Sequence, residues 1–166
     1  MGGMPRVLRL CSVFEPRELT PAWVGYDPIG GMQNHLAVLT RCLDRLDVAQ
    51  RVVTSRLAGP AGTIRFGAQG QVSRAGLPVP VLRQGWALAA VRHVLGGPVE
   101  LVHVHCGEDL AVLPLAWVAA RRHGCPLVAT VHLSVRHALH PSPRAAPCCG
   151  PPRAPWSASC CPPRTR

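Results

Sequence analysis

The chain has 166 residues and 48% apolar composition. That is enough for one ordinary domain with a packed core, and no stretch approaches the roughly 18 to 20 uninterrupted apolar residues of a membrane span. The net charge of +10 comes from 18 basic residues, all arginine, set against eight acids, with one tyrosine and two phenylalanines available for base stacking. Such a balance reads as the codon usage of a GC-rich gene rather than a nucleic-acid surface, so nucleic-acid binding is set aside. The N-terminus, MGGMPRVLRLCSVF, lacks the charged segment, clean apolar stretch and small-residue cleavage site of a signal peptide, and a cytoplasmic chain is expected.

In chain order, Val7 to Phe14 is an apolar run of strand length, followed by a proline-bearing loop from Glu15 to Ile29. Gly30 and Gly31 then open a helix. Met32, Leu36, Leu39, Leu43 and Leu46 recur at alternating spacings of four and three, with Val38 and Cys42 widening the stripe. Gln33, Asn34, Thr40, Arg41, Asp44 and Arg45 take the other face. The helix is expected to stop near Asp47, because aspartate tolerates the left-handed conformation. Ala49 to Ser55 is a second strand, residues 56–71 a polar, Gly-rich stretch, and VSRAGL and VPVL short strands. Trp86 to Leu95 reads as a helix, Val99 to His105 as a strong strand and Asp109 to His123 as a helix with Pro114 in its first turn. Gly124 and Pro126 mark its stop, and Pro126 to His132 is the last strand.

Strands alternating with helices, the strands being nearly continuous apolar runs, imply an α/β fold of Rossmann-like type: a parallel sheet with helices on both faces, filling residues 1–140. The remainder breaks the pattern. Residues 141–166 hold eight prolines, no acid, and the doublets Cys148-Cys149 and Cys160-Cys161. They show no periodicity, and the doublets do not have the spacing of zinc knuckles. A disordered tail is expected, and its composition is that of a GC-rich gene read out of frame from about Arg144. Cys11, Cys42, Cys106 and Cys125 read as reduced, buried cysteines.

In folds of this class ligands bind beyond the carboxyl ends of the strands. Three groups collect there. Gly30 and Gly31 lie at a helix N-terminus, where free N–H groups favour an anion and glycines let it come close. His105, Cys106, Gly107, Glu108 and Asp109 follow one strand, and His132 and Ser134 follow another. His103, two positions deeper, reads as a hydrogen-bonded core residue. His35 reads as a solvated residue of the first helical turn. The H-x-H pair with His132 also leaves open a metal site and a metal-dependent hydrolase.

The stretches GGMQNHLAVLTRCLDRLDVAQRVVTS and VELVHVHCGEDLAVLPLAWVAARRHGCPLVATVH, in that order, resemble the N-terminal half of glycosyltransferase family 4, retaining enzymes of the GT-B fold. Asp47 replaces the glycine usual after the first helix, and Glu100 stands where aspartate is common. The resemblance implies an acceptor-side domain that passes a sugar from a nucleotide-sugar donor to a small-molecule or glycan acceptor, without a metal or other cofactor. It implies that Gly30 and Gly31 lie by the donor phosphates and sugar, that His105 and His132 line the catalytic cleft, and that Asn34, Glu108 and Ser134 contact the acceptor. It also implies that the nucleotide is held by a C-terminal domain not found in these residues, so that the chain is inactive alone. A stand-alone sugar- or partner-binding module remains the other reading.

Overall fold

A computed structural model describes residues 3–16, 19, 31–56, 62–76, 85–107 and 109–132. Six strands form one sheet in the order β3-β4-β2-β1-β5-β6. They are β1 (Arg6–Cys11), β2 (Ala49–Ser55), β3 (Gly62–Phe66), β4 (Gly70–Ala75), β5 (Leu101–Cys106) and β6 (Leu127–Val131). Helices α1 (Gly31–Arg45), α2 (Trp86–Leu95) and α3 (Val112–His123) connect them. All neighbouring strands run parallel except β3, which pairs antiparallel with β4 at the edge. The fold is the expected α/β sheet, but β3 was not among the expected strands, and the short strand expected at VPVL lies outside the described residues. β3 falls in the stretch read as polar loop, because an exposed edge strand of five residues needs no apolar run.

Two helix stops behave as the sequence implies. Asp47 has φ 54°. Gly124 sits at φ 61° and ψ 33°, and its N–H bonds the carbonyl of Ala120. Pro114 falls within the first turn of α3, where its missing N–H is harmless.

The two faces of the sheet differ. On one face Leu8, Leu10, Val53, Val102 and Val104 pack against α2 and α3 through Ala90, Val94, Val112, Leu115, Ala116 and Ala119. Alternation along each strand sends the intervening residues to α1. There Cys11, Val52, Val72, Phe14 and Phe66 meet Leu36 and Ala37 in a smaller apolar cluster. Much of the remainder of that face is polar. Arg9, Gln50, Thr40, Arg74, Glu15 and His105 are all buried. The stripe of α1 is therefore displaced from its expected position. Gln33 and Thr40 face the sheet, whereas Val38 and Leu46 are 56% and 71% exposed. Cys42 is exposed as well, not buried. The physical reason is that the sheet beneath α1 offers polar partners, so polar helix residues are the ones that dock.

Candidate functional site

The strand order places the site. From β1 the chain crosses to β2 on one side and later returns to β5 on the other, so the crevice at the carboxyl ends of β1 and β5 is the switch point where α/β sheets bind ligands. α1 begins there with Gly31. Gln33 Oε1 accepts a 3.2 Å bond from the N–H of Glu15, tying the helix start to the segment after β1. The loop after β5 closes against the same turn, since a Cβ at Gly107 would lie 3.2 Å from Met32 Sδ.

Gly31 itself is exposed, and a Cβ built on it meets nothing within 4 Å among the described residues. Among the described residues neither packing nor backbone demands glycine at this position. Open space at a helix N-terminus with no acid in its first turn leaves the free N–H groups approachable by an anion. Gly30, Glu108 and Ser134 lie outside the described residues. Asn34 is on the exposed side of the first helical turn.

Three imidazoles gather beside this turn. His105 Nδ1 lies 3.1 Å from His132 Nε2, with the rings stacked at 5.4 Å between centroids. His35 meets His132 edge-on at 5.2 Å and lies 6.2 Å from His105. One ligand atom from each of the three falls within 4.8 Å of the others. His35, read from the sequence as a solvated residue, thus joins the cluster. Its signal was its place four residues into a helix that starts at the strand ends, which puts it above the same edge as His105.

Beneath the cluster the histidines exchange their expected roles. His105 is fully buried, and His103 is only half-buried. The expectation that His105 sits past the buried part of its strand, and that His103 is the core residue, is corrected here. β6 is an exposed edge strand that leaves the side of His103 open, although Thr130 Oγ1 bonds its Nε2 at 2.8 Å. Of the two residues expected to line a cleft, His132 alone retains accessible surface.

Arg9, which the sequence reading passed over, holds His105 from below. Its Nη2 donates to His105 Nε2 at 3.2 Å, while Nη1 donates to Thr40 Oγ1 at 2.6 Å and Gln50 Oε1 at 3.1 Å. None of these partners is an acid. Burial pulls the Arg9 guanidinium down to about 10, which still leaves it charged at neutral pH. Burial first, and Arg9 second, push His105 down to about 2 and His103 to about 4. His132 is lowered as well, by burial and by His35. His103, His105 and His132 are therefore held in the neutral form at pH 7. Asp109 is occupied elsewhere. Its Oδ2 accepts from Trp86 Nε1 at 2.7 Å and its Oδ1 from the N–H of Ala111 at 2.9 Å, so this buried acid anchors α2 and the start of α3.

The sequence profile of Glycosyltransferase Family 4 matches residues 29–148. The chain belongs to glycosyltransferase family 4. The match opens at Ile29, beside the two glycines, and covers every described residue from α1 to β6. A 2-deoxystreptamine N-acetyl-D-glucosaminyltransferase from Streptomyces fradiae is 33% identical over 156 residues, covering 84% of this chain. The chain spans about a third of that relative, 36% of its length. No solved structure matches the chain. Among the described residues no helix is long and apolar enough to cross a membrane.

Proposed function

We propose that this chain is the acceptor-side domain of a retaining GT-B glycosyltransferase that moves a sugar from a nucleotide-sugar donor to a small-molecule or glycan acceptor. The observation that carries the reading is the convergence, at one switch point, of a helix N-terminus at Gly31 that no described residue obstructs and a partly exposed His132. The helix start suits the donor phosphates, and an imidazole N–H beside it suits a sugar oxygen. Gly30 belongs to the donor side of the same proposal, and Asn34, Glu108 and Ser134 to the acceptor side. The nucleotide would be held by a second domain, as in the family, so this chain alone binds acceptor without turnover. No metal is assigned a part in the transfer, and a cytoplasmic location belongs to the same reading.

The Streptomyces relative supplies the test ligands, 2-deoxystreptamine as acceptor and nucleotide-linked N-acetylglucosamine as donor. Calorimetric titration of the chain with 2-deoxystreptamine should show saturable binding, weakened about tenfold, or about 1.4 kcal/mol, by His132→Ala. In an enzyme that joins this domain to a nucleotide-binding domain, Gly31→Val should lower transfer by about 100-fold, roughly 2.7 kcal/mol of barrier, with the melting temperature unchanged. If Gly31→Val transfers sugar like the parent, or merely unfolds, the glycine is only the start of a helix and the donor assignment fails.

A further inference from the structure

Arginine can only donate hydrogen bonds. Because Arg9 Nη2 donates to His105 Nε2, that nitrogen must carry a lone pair, and in the neutral ring the proton must sit on Nδ1. His105 Nδ1 then donates to His132 Nε2, 3.1 Å away, which must carry a lone pair in turn. His132 consequently holds its own proton on Nδ1, an atom with no partner among the described residues. Direction thus passes from the guanidinium through two imidazoles and emerges as an N–H at the carboxyl end of β6. The guanidinium cannot rotate away at no cost, since Thr40 and Gln50 hold Nη1, Thr40 Oγ1 is itself bound to the carbonyl of Leu36, and Gln50 Nε2 to that of Thr40.

We propose that Arg9 is a positioning residue that fixes the tautomers of His105 and His132, so that His132 presents a hydrogen-bond donor, and neither a base nor a metal ligand, at the strand ends. The matching ligand atom is an oxygen acceptor, such as a sugar hydroxyl oxygen or a phosphoryl oxygen. That assignment rests on the glycosyltransferase reading, whereas the tautomers rest on geometry alone. The same direction explains why three clustered imidazoles make a poor metal site. An ion on His105 Nδ1 would force the proton to Nε2, against the N–H of Arg9. An ion on His132 Nδ1 would force its proton to Nε2, against the N–H of His105. Either way two donors face each other in a buried place, and the lost bond costs more than an ordinary hydrogen bond returns.

The test is a long-range proton–nitrogen correlation spectrum of the chain labelled with ¹⁵N-histidine at pH 7.5. His105 and His132 should both show the neutral Nδ1–H pattern. Arg9→Met, which keeps bulk and removes the donors, should mix or invert the tautomer of His105, and Arg9→Lys should restore the parent pattern. Thr40→Val serves as the control for a merely structural effect, since it takes one bond from Arg9 and leaves the bond to His105; it should not change either pattern. One equivalent of Zn²⁺ should leave the parent's His105 signals in place. An Nε2–H pattern at His105 in the parent, an unchanged pattern in a folded Arg9→Met variant, or a stoichiometric zinc shift at His105 would each overturn the proposal. Should Arg9→Met fail to fold, the parent pattern and the zinc titration still decide. None of these readouts depends on sugar binding, so a failure here is separable from failure of the glycosyltransferase reading.

Discussion

The two faces of the sheet do different work with the same strands. Toward α2 and α3 the inward residues are aliphatic and fully buried, with Leu8, Leu10, Val102 and Val104 at 0% exposure. Toward α1 the same strands send in Arg9, Gln50, His103 and His105, and the loop after β1 adds Glu15, ion-paired with Arg74. Burial of apolar area is directionless and tolerant, so the first face gives stability without fixing a chemical state. Hydrogen bonds between buried groups are directional, so the second face fixes which nitrogen carries a proton. For Arg9 and His105, as fully buried as the leucines opposite, what differs is what burial decides for them.

The comparison can be broken first by stability. Leu10→Ala removes a fully buried side chain from between the sheet and α2 and α3, and should cost about 2–5 kcal/mol in urea unfolding. Arg9→Met, one residue away on the other face, should cost less, about 1–3 kcal/mol, because it leaves the acceptors Gln50 Oε1 and His105 Nε2 unsatisfied but also removes a buried charge with no acid beside it. Equal losses at the two positions would show that the polar face supports the fold as much as the aliphatic one does.

Acid should act on the polar face through its histidines. Burial foremost, then Arg9, holds His103 at about 4 and His105 at about 2, both below the ordinary value of about 6.5 for a free histidine. From pH 6.5 down to about 4 for His103, and on down to about 2 for His105, the unfolded chain therefore binds more protons than the folded one. The stability these groups contribute is complete above that window and is lost as pH falls through it. Melting temperature should drop across it, and His103→Gln should make the drop shallower by up to about one proton's worth of linkage. If the parent and the variant lose stability in parallel, His103 takes up its proton in the folded protein as readily as in the unfolded one, and the polar face is wetter than its hydrogen bonds imply.

How legible the molecule was from its sequence follows the same division. The aliphatic face is written in apolar runs. Ala49–Ser55 and Trp86–Leu95 coincide with the expected strand and helix, and the stops at Asp47 and Gly124 follow from local backbone chemistry. The polar face has no such signature. Polarity was read as exposure, which moved Gln33 and Thr40 to the wrong side of α1 and left Arg9 unnoticed inside an apolar strand. His103 and His105 are reversed for the same reason: distance along a strand does not measure depth. Depth here depends on what covers the strand, and the open side of β6 was not visible in one strand's pattern. The place of the site was legible, because strand order and helix starts are topological. Its internal wiring was not, because that depends on which polar atoms meet across 27 to 96 residues of sequence.

The smallest expected effect is also the cleanest discriminator between polarity and position on α1. Thr40 and Val38 lie two residues apart on one helix, one fully buried and the other 56% exposed. Thr40 Oγ1 accepts from Arg9 Nη1 and donates to the carbonyl of Leu36, so Thr40→Val keeps shape and branching while removing both bonds. The loss should be about 1–2 kcal/mol, the ordinary cost of an unsatisfied buried partner, since among the described residues Gln50 remains as the sole acceptor for that nitrogen of Arg9. Val38→Thr changes the same atoms in the opposite sense at a wet position and should stay within about 0.5 kcal/mol. Helix propensity works against the expected ordering only weakly, as valine and threonine rank together. Chemical denaturation of the two single variants is enough to read the difference. Were Thr40→Val neutral or stabilising, the hydroxyl would be replaceable by a methyl, and α1 would be docked by its small apolar cluster of Leu36 and Ala37 rather than by the buried polar layer that holds Arg9 against His105.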